Sequence, residues 1–141
     1  MKCREITLPE ICDQRGQLVL AEEAAQIPFP VKRIFAISNV PVGQRRGGHA
    51  HREQQQVLIM LAGGCDVLID EGSGVRHERL GMPTVGLYVP AKVWLELTHF
   101  QQGSICLVLA SGLFDEADYV RDYDEFAATY GEGSLVLSGG H

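Results

Sequence analysis

Gly43-Gln-Arg-Arg-Gly-Gly-His49-Ala-His51-Arg-Glu-Gln-Gln55 is the stretch on which the reading of this chain turns. Two histidines at i and i+2 on an extended strand project to one face, roughly 6–7 Å apart along the chain. The glycines just before them let the backbone turn tightly. Histidine is a poor core filler and an uncommon surface strand residue, so a pair on one inward face points to chemistry. His49 and His51 are therefore the candidate working residues.

Outward from this segment, short apolar runs alternate with Gly, Pro, Asn and Asp almost throughout. Strands are expected at residues 5–8, 17–22, 32–39, 55–61, 65–70, 76–80, 86–89, 94–100 and 105–110. Val, Ile, Leu and aromatics dominate them, as pleated, half-buried surfaces favour. Asp70-Glu-Gly-Ser-Gly74 reads as a hairpin loop and Ala62-Gly-Gly64 as a second turn. Many short strands at close spacing indicate an all-β sandwich or barrel rather than βαβ units. One short C-terminal helix is expected, with Asp122 as N-cap, Glu125 completing a capping box, and an end near Tyr130. Residues 1–130 then form a single domain and 131–141 a flexible Gly/Ser-rich tail.

The chain has 141 residues, 45% of them hydrophobic and 21% charged, as in one soluble globular domain. A formal net charge of −6 excludes the global positive field that gathers DNA or RNA. Its apolar runs are far shorter than the roughly 20 residues a membrane helix needs, so no membrane partner is expected. The N-terminus MKCREITLPE carries charges where a signal peptide needs an apolar stretch. Cys3, Cys12, Cys65 and Cys106 form no C-x-x-C, and free core thiols fit a reducing cytoplasm.

The spacing from Gly43 to His51, G-x5-H-x-H before an apolar strand, resembles the first cupin motif. Metal-binding cupins add a Glu or Gln about four residues later and a third histidine from a later motif. Gln55 stands near the first place, but Pro90-Ala-Lys-Val-Trp94-Leu95 puts a leucine in the second. Two imidazoles and an amide suit zinc or iron poorly, and His99 lies far along the strand. No metal and no other cofactor are expected.

The resemblance narrows with Arg15-Gly-Gln-Leu, Ile27-Pro-Phe, Lys32-Arg33, Arg46-Gly-Gly-His-Ala-His51, Gly86-Leu-Tyr-Val, Trp94-Leu-Glu96, Leu109-Ala-Ser111 and Asp115-Glu-Ala-Asp-Tyr-Val-Arg121-Asp-Tyr-Asp-Glu-Phe126. Together these are similar to the dTDP-sugar 3,4-ketoisomerases, the WxcM-like family of the cupin superfamily. The resemblance implies a jelly-roll-like cupin barrel of antiparallel strands. It implies a metal-independent isomerase that moves the keto group of dTDP-4-keto-6-deoxyglucose from C4 to C3 in deoxysugar biosynthesis. It also implies a homodimer with exchanged N-terminal strands, and a sugar pocket lined by His49 and His51. This chain departs from the family at Leu95, where Trp-His-Glu is common, and at Phe35-Ala36, where tyrosines are common.

Such an isomerisation needs a base for the C3 proton, an enediol, and a proton delivered to C4. Histidine, with an unperturbed pKa of about 6.5, exchanges protons near neutrality. His49 is taken as the C3 base and His51 as its assistant, a division the sequence leaves open. Arg46 suits a diphosphate, which guanidinium grips bidentately. Tyr88, Trp94 and Glu96 complete the expected substrate contacts. Asp115, Glu116, Asp118, Arg121 and Asp124 are read as organisers of the strand-to-helix corner. The alternatives are a 3,5-epimerase-like cupin on the same sugar nucleotide and a non-catalytic sugar-binding cupin.

Overall fold

The computed structural model describes residues 2–131. In chain order its strands are β1 (Arg4–Thr7), β2 (Glu10–Asp13), β3 (Gly16–Val19), β4 (Arg33–Ser38), β5 (Arg46–His51), β6 (Gln56–Ala62), β7 (Cys65–Asp70), β8 (Val75–Leu80), β9 (Val85–Val89), β10 (Trp94–Thr98), β11 (Ile105–Ala110) and β12 (Tyr119–Val120). A single helix, α1 (Tyr123–Tyr130), follows. The expected tail lies, beyond Gly131, outside the described residues.

Two five-stranded antiparallel sheets pack face to face, ordered β1-β9-β6-β11-β4 and β12-β5-β10-β7-β8. This is the all-β, jelly-roll-like architecture expected, although the two sheets remain separate rather than closing into a continuous barrel. Among the described residues no helix is long and apolar enough to cross a membrane.

Period-2 alternation decides which side chains meet where. Leu58 and Met60 of β6 enter the core between the sheets with Val67, Ile69, Leu87, Leu95, Leu97 and Val108. Their neighbours Val57 and Ile59 point the other way, against Ile6, Leu8, Ile27, Phe29 and Tyr88 of a second core. On the far face of the other sheet, Phe126 of α1 covers Ala50, Trp94 and Val120. Each fully buried Leu, Ile or Phe contributes roughly 1.5–3 kcal/mol, so the three layers together fix the strand faces. Cys65 and Cys106 are free and buried, as core residues, and burial pushes the Cys65 thiol up to about 11.

The structure differs from expectation at three places. The strand expected at 17–22 is the second arm of a hairpin, β2–β3, turned at Gly16 with φ +122°. The two-residue strand β12 is too short to show as an apolar run. Asp122 caps α1 by accepting from the Asp124 amide at 2.9 Å, but Glu125 accepts from Arg52 at 3.2 Å instead of closing a capping box.

Strand β5 is held close to β10. Its Gly47 has φ +81°, and a Cβ there would stand 2.8 Å from the Leu95 carbonyl oxygen. The register slips between Leu95 and Glu96 at this point. Only glycine accommodates both the conformation and the approach.

Candidate active site

A cavity of about 290 Å³ opens between the two sheets. Strand β4 supplies Phe35 and Ile37, β5 supplies Arg46 and His49, β6 supplies Gln56 and Leu58, and β10 supplies Leu95 and Leu97. Tyr119, Arg121 and Phe114 arrive from the segment before α1. The inner wall is apolar and the mouth is cationic.

His49 and His51 stand on one face, their ring centroids 5.2 Å apart. The Tyr119 ring packs against both, at 4.9 Å from His49 and 4.4 Å from His51. Their surroundings differ. His49 lines the cavity; burial pushes its pKa down to about 4, with His51, Arg121 and Arg46 pushing the same way. Its Nδ1 is buried and has no partner within the described chain.

His51 lies deeper, only 5% exposed. Its Nδ1 is 2.9 Å from Asp118 Oδ2. A carboxylate can only accept, so Nδ1 carries the proton and donates it. Nε2 is left as an acceptor, and the Gln56 amide nitrogen lies 3.3 Å from it. Burial pushes the His51 pKa down and Asp118 opposes that shift. Asp118 is itself fixed, accepting from the amides of Glu53 at 2.8 Å and Gln54 at 3.3 Å. Thus the 3₁₀ turn Glu116–Asp118 and strand β12, paired to β5 through Tyr119–His51 and Val120–Ala50, complete the histidine site.

At the mouth, Arg121 lies 4.2 Å over the Tyr119 ring and is gripped by Glu116 through bonds of 2.6 and 3.0 Å. Arg46 is exposed beside it and makes no ion pair among the described residues.

Of the expected site residues, the structure brings His49, His51 and Arg46 together. Tyr88, Trp94 and Glu96 lie elsewhere. Tyr88 is fully buried in the outer core and donates its hydroxyl to Gln55 at 2.6 Å. Trp94 packs under α1, its indole donating to Glu96 at 2.9 Å, while Glu96 also pairs with Arg45 at 2.8 Å. The physical reason is alternation: Leu95 and Leu97 face the cavity, so Trp94 and Glu96 cannot. Leu95 sits across from His49 in the β5–β10 pairing. His99 is exposed and pairs with Asp66 at 3.1 Å. Gln56, not Gln55, is the amide at the histidines.

Asp118, Tyr119 and Arg121 do more than organise a corner, since each contacts or faces the histidine pair. Among the described residues no three His, Cys, Asp or Glu side chains are grouped as a metal would require. The donor set at the pair, two imidazoles with an amide and Leu95 opposite, does not fit zinc or iron.

Fold and site thus define a class, a jelly-roll protein whose cavity carries a histidine pair, one member of which, His51, is bonded to a carboxylate. The family profile described as FdtA: WxcM-like, C-terminal matches residues 1–131, and the chain belongs to that family. It is 42% identical over 126 residues to the TDP-4-oxo-6-deoxy-alpha-D-glucose-3,4-oxoisomerase of Aneurinibacillus thermoaerophilus, covering 89% of this chain and 91% of that one. A 3,4-ketoisomerase from Helicobacter canadensis superposes with TM-score 0.88 at 37% identity, over 92% of this chain and 98% of that one. A mutant of the 3,4-ketoisomerase QdtA from Thermoanaerobacterium thermosaccharolyticum, in complex with TDP-4-keto-6-deoxyglucose, gives 0.89 at 35%, over 92% and 94%. The enzyme class is therefore that of the isomerases, specifically the sugar 3,4-ketoisomerases.

Proposed function

We propose that this cavity converts dTDP-4-keto-6-deoxyglucose to a dTDP-3-keto-6-deoxyhexose in deoxysugar biosynthesis, without metal or other cofactor. The observation that carries the reading is His49 in the cavity wall with His51 directly behind it, ring centroids 5.2 Å apart, and Asp118 on Nδ1 of His51. The base role goes to His51. Asp118 fixes its tautomer, leaves Nε2 as the acceptor, and stabilises the imidazolium that forms. His51 takes the proton from C3, and the electrons of that C–H bond make the C3–C4 double bond of an enediol. His49, kept neutral by its lowered pKa, gives a proton to the C4 oxygen and recovers one from the C3 oxygen. The His51 imidazolium then protonates C4. Oxidation states at C3 and C4 exchange, so no redox partner is needed.

Arg46 and Arg121 at the mouth suit the diphosphate, and the apolar wall of Leu58, Leu95 and Leu97 suits a 6-deoxy sugar. A homodimer with exchanged N-terminal strands is supported by the β2–β3 hairpin, whose Ile11 and Leu18 are 56% and 53% exposed. A lone two-stranded hairpin is marginal in water. Free thiols support a cytoplasmic setting, with residues 1–130 acting as one domain. Incubation with dTDP-4-keto-6-deoxyglucose, trapping by an aminotransferase and NMR of the product test the activity. A keto group at C3 is expected; unchanged sugar, or inversion at C5, overturns the reading. Metal analysis of active protein is expected to find no stoichiometric zinc, iron or manganese. Light scattering is expected to give twice the chain mass.

A further inference from the structure

Arg33 stands behind the cavity lining, its guanidinium over Phe35 and Phe114 of that lining, and has no carboxylate partner among the described residues, in contrast to Arg121, Arg52 and Arg45. Its strand, β4, alternates strictly. Phe35 and Ile37 line the cavity, while Ile34 on the opposite face is 62% exposed. Arg33 therefore points inward with them. Across the sheet, Ala110 pairs with Arg33 on one side and with Gln56 on the other. Arg33 and Gln56, the amide that meets His51, thus flank the small side chain of Ala110.

The guanidinium is held in place by its neighbours. It lies 5.2 Å from the Phe35 ring centre and 5.7 Å from that of Phe114, both cavity residues. Its Nη2 donates to Gln54 Oε1 at 3.1 Å, and Gln54 is tied to the Leu113 carbonyl at 2.7 Å. Its Nε is buried and without a partner within the described chain. A half-buried guanidinium with a free N–H and no counter-ion is a costly arrangement. Such arrangements persist where function requires them.

We infer that Arg33 is a further catalytic residue of this site, the cation that holds the C4 oxygen of the sugar while negative charge develops there. The inference rests on the ketoisomerase reading. When His51 removes the C3 proton, the C–H electron pair enters the C3–C4 bond and the carbonyl electron pair moves to the C4 oxygen. That oxygen is an anion until His49 protonates it. Arginine suits the task because it keeps its own proton at any working pH. Its positive charge also lowers the pKa of His51. It thus helps keep the base free of its proton, as Arg121 does, against the opposite pull of Asp118; His49 and Tyr119 are the other groups that face His51.

Removing one preorganised donor from a developing oxyanion costs about 100- to 1,000-fold in kcat. The test uses the full-length protein with Arg33→Met and Arg33→Lys, dTDP-4-keto-6-deoxyglucose as substrate, and dTDP as the binding probe. Arg33→Met is expected to lose kcat by that factor, with KM and the dTDP Kd within about threefold of the parent. Arg33→Lys restores charge without the planar fork and is expected to recover part of the rate. NMR titration of the unliganded protein is expected to show His51 protonating at higher pH in Arg33→Met, because the repelling cation is gone. A folded Arg33→Met with near-parental kcat overturns the proposal, as does a weakened dTDP Kd with kcat intact, which makes Arg33 a phosphate anchor. If Arg33→Met does not fold, Arg33→Lys decides, and parental kcat there overturns it. A parent that leaves the sugar unchanged brings down the ketoisomerase reading and this proposal together. An active parent with indifferent Arg33 variants brings down this proposal alone.

Discussion

Replacing Asp118 by Asn is the most informative single change at the site, because it alters charge and hydrogen bonding with almost no change in shape. The carboxylate does two jobs. It accepts the Nδ1 proton of His51 at 2.9 Å, and it accepts the backbone amides of Glu53 and Gln54. An asparagine keeps one acceptor oxygen and brings two donors. If its NH2 faces Glu53 or Gln54, one buried amide loses its partner, costing about 1–3 kcal/mol of stability. If it faces His51, the imidazole must turn its Nδ1 into an acceptor and carry its proton on Nε2, the position where a base must be bare. In either case the imidazolium loses its counter-charge. The expected kcat loss is about 100- to 10,000-fold, the range for a positioned acid–base group. The carboxylate raises the His51 pKa against burial, so its loss moves that pKa lower still. The acid limb of the kcat profile, where the base becomes protonated, should then shift to lower pH while the plateau collapses. The assay is the pH dependence of ketoisomerisation, with urea unfolding run in parallel. A folded Asp118→Asn enzyme with kcat within threefold of the parent and an unmoved acid limb would refute the role given to His51.

Three further outcomes are expected. Stability should fall on acidification through the His49 window. Its folded pKa is lowered from 6.5 to about 4, so the stability it contributes is full above 6.5 and lost as pH drops towards 4. The upper limit of that loss is about 3 kcal/mol, and His49→Asn should flatten the corresponding part of a urea-midpoint profile against pH. Gly47→Ala should destabilise the protein by at least about 1–3 kcal/mol, since the new Cβ meets the Leu95 carbonyl oxygen and φ stays positive; a urea midpoint equal to the parent's would show that β5 can move. Tyr88→Phe should leave ketoisomerase kinetics at parental values while costing about 0.5–1.5 kcal/mol for the lost bond to Gln55, measured by kinetics and thermal unfolding on the same sample.

Much of the fold was legible because β-branched and leucine-rich runs separated by glycine turns have few other solutions. The histidine pair was legible because two residues apart on a strand means one face. The same rule could have placed Trp94 and Glu96. Leu95 occupies the inward position of a motif strand, so its neighbours must point out, under α1 and into solvent. Tyr88 follows similarly from Leu87 and Val89, which enter the core between the sheets. Asp118, Tyr119 and Arg121 were harder to place. Their segment is charged and contains only a two-residue strand, so nothing local announces that it pairs with β5. That pairing spans 68 residues between His51 and Tyr119, and only tertiary structure reveals it. The β2–β3 hairpin was missed because its first arm, Glu10–Asp13, is polar and exposed.

The late position of β12 has a consequence for how the enzyme comes into being. A ribosome delivers the chain from its N-terminus, and the core between the sheets draws only on residues from Cys3 to Val108. That core can condense while the last segment is still in transit. At that stage both histidines are present, but the carboxylate that sets the tautomer of His51 is not, nor is the tyrosine wedged against the pair. Docking of Phe126 against Ala50 and Trp94 then draws the segment down. A chain halted after Ala110 would hold every residue of that core and both histidines, yet lack the Asp118 and Tyr119 that pack against them.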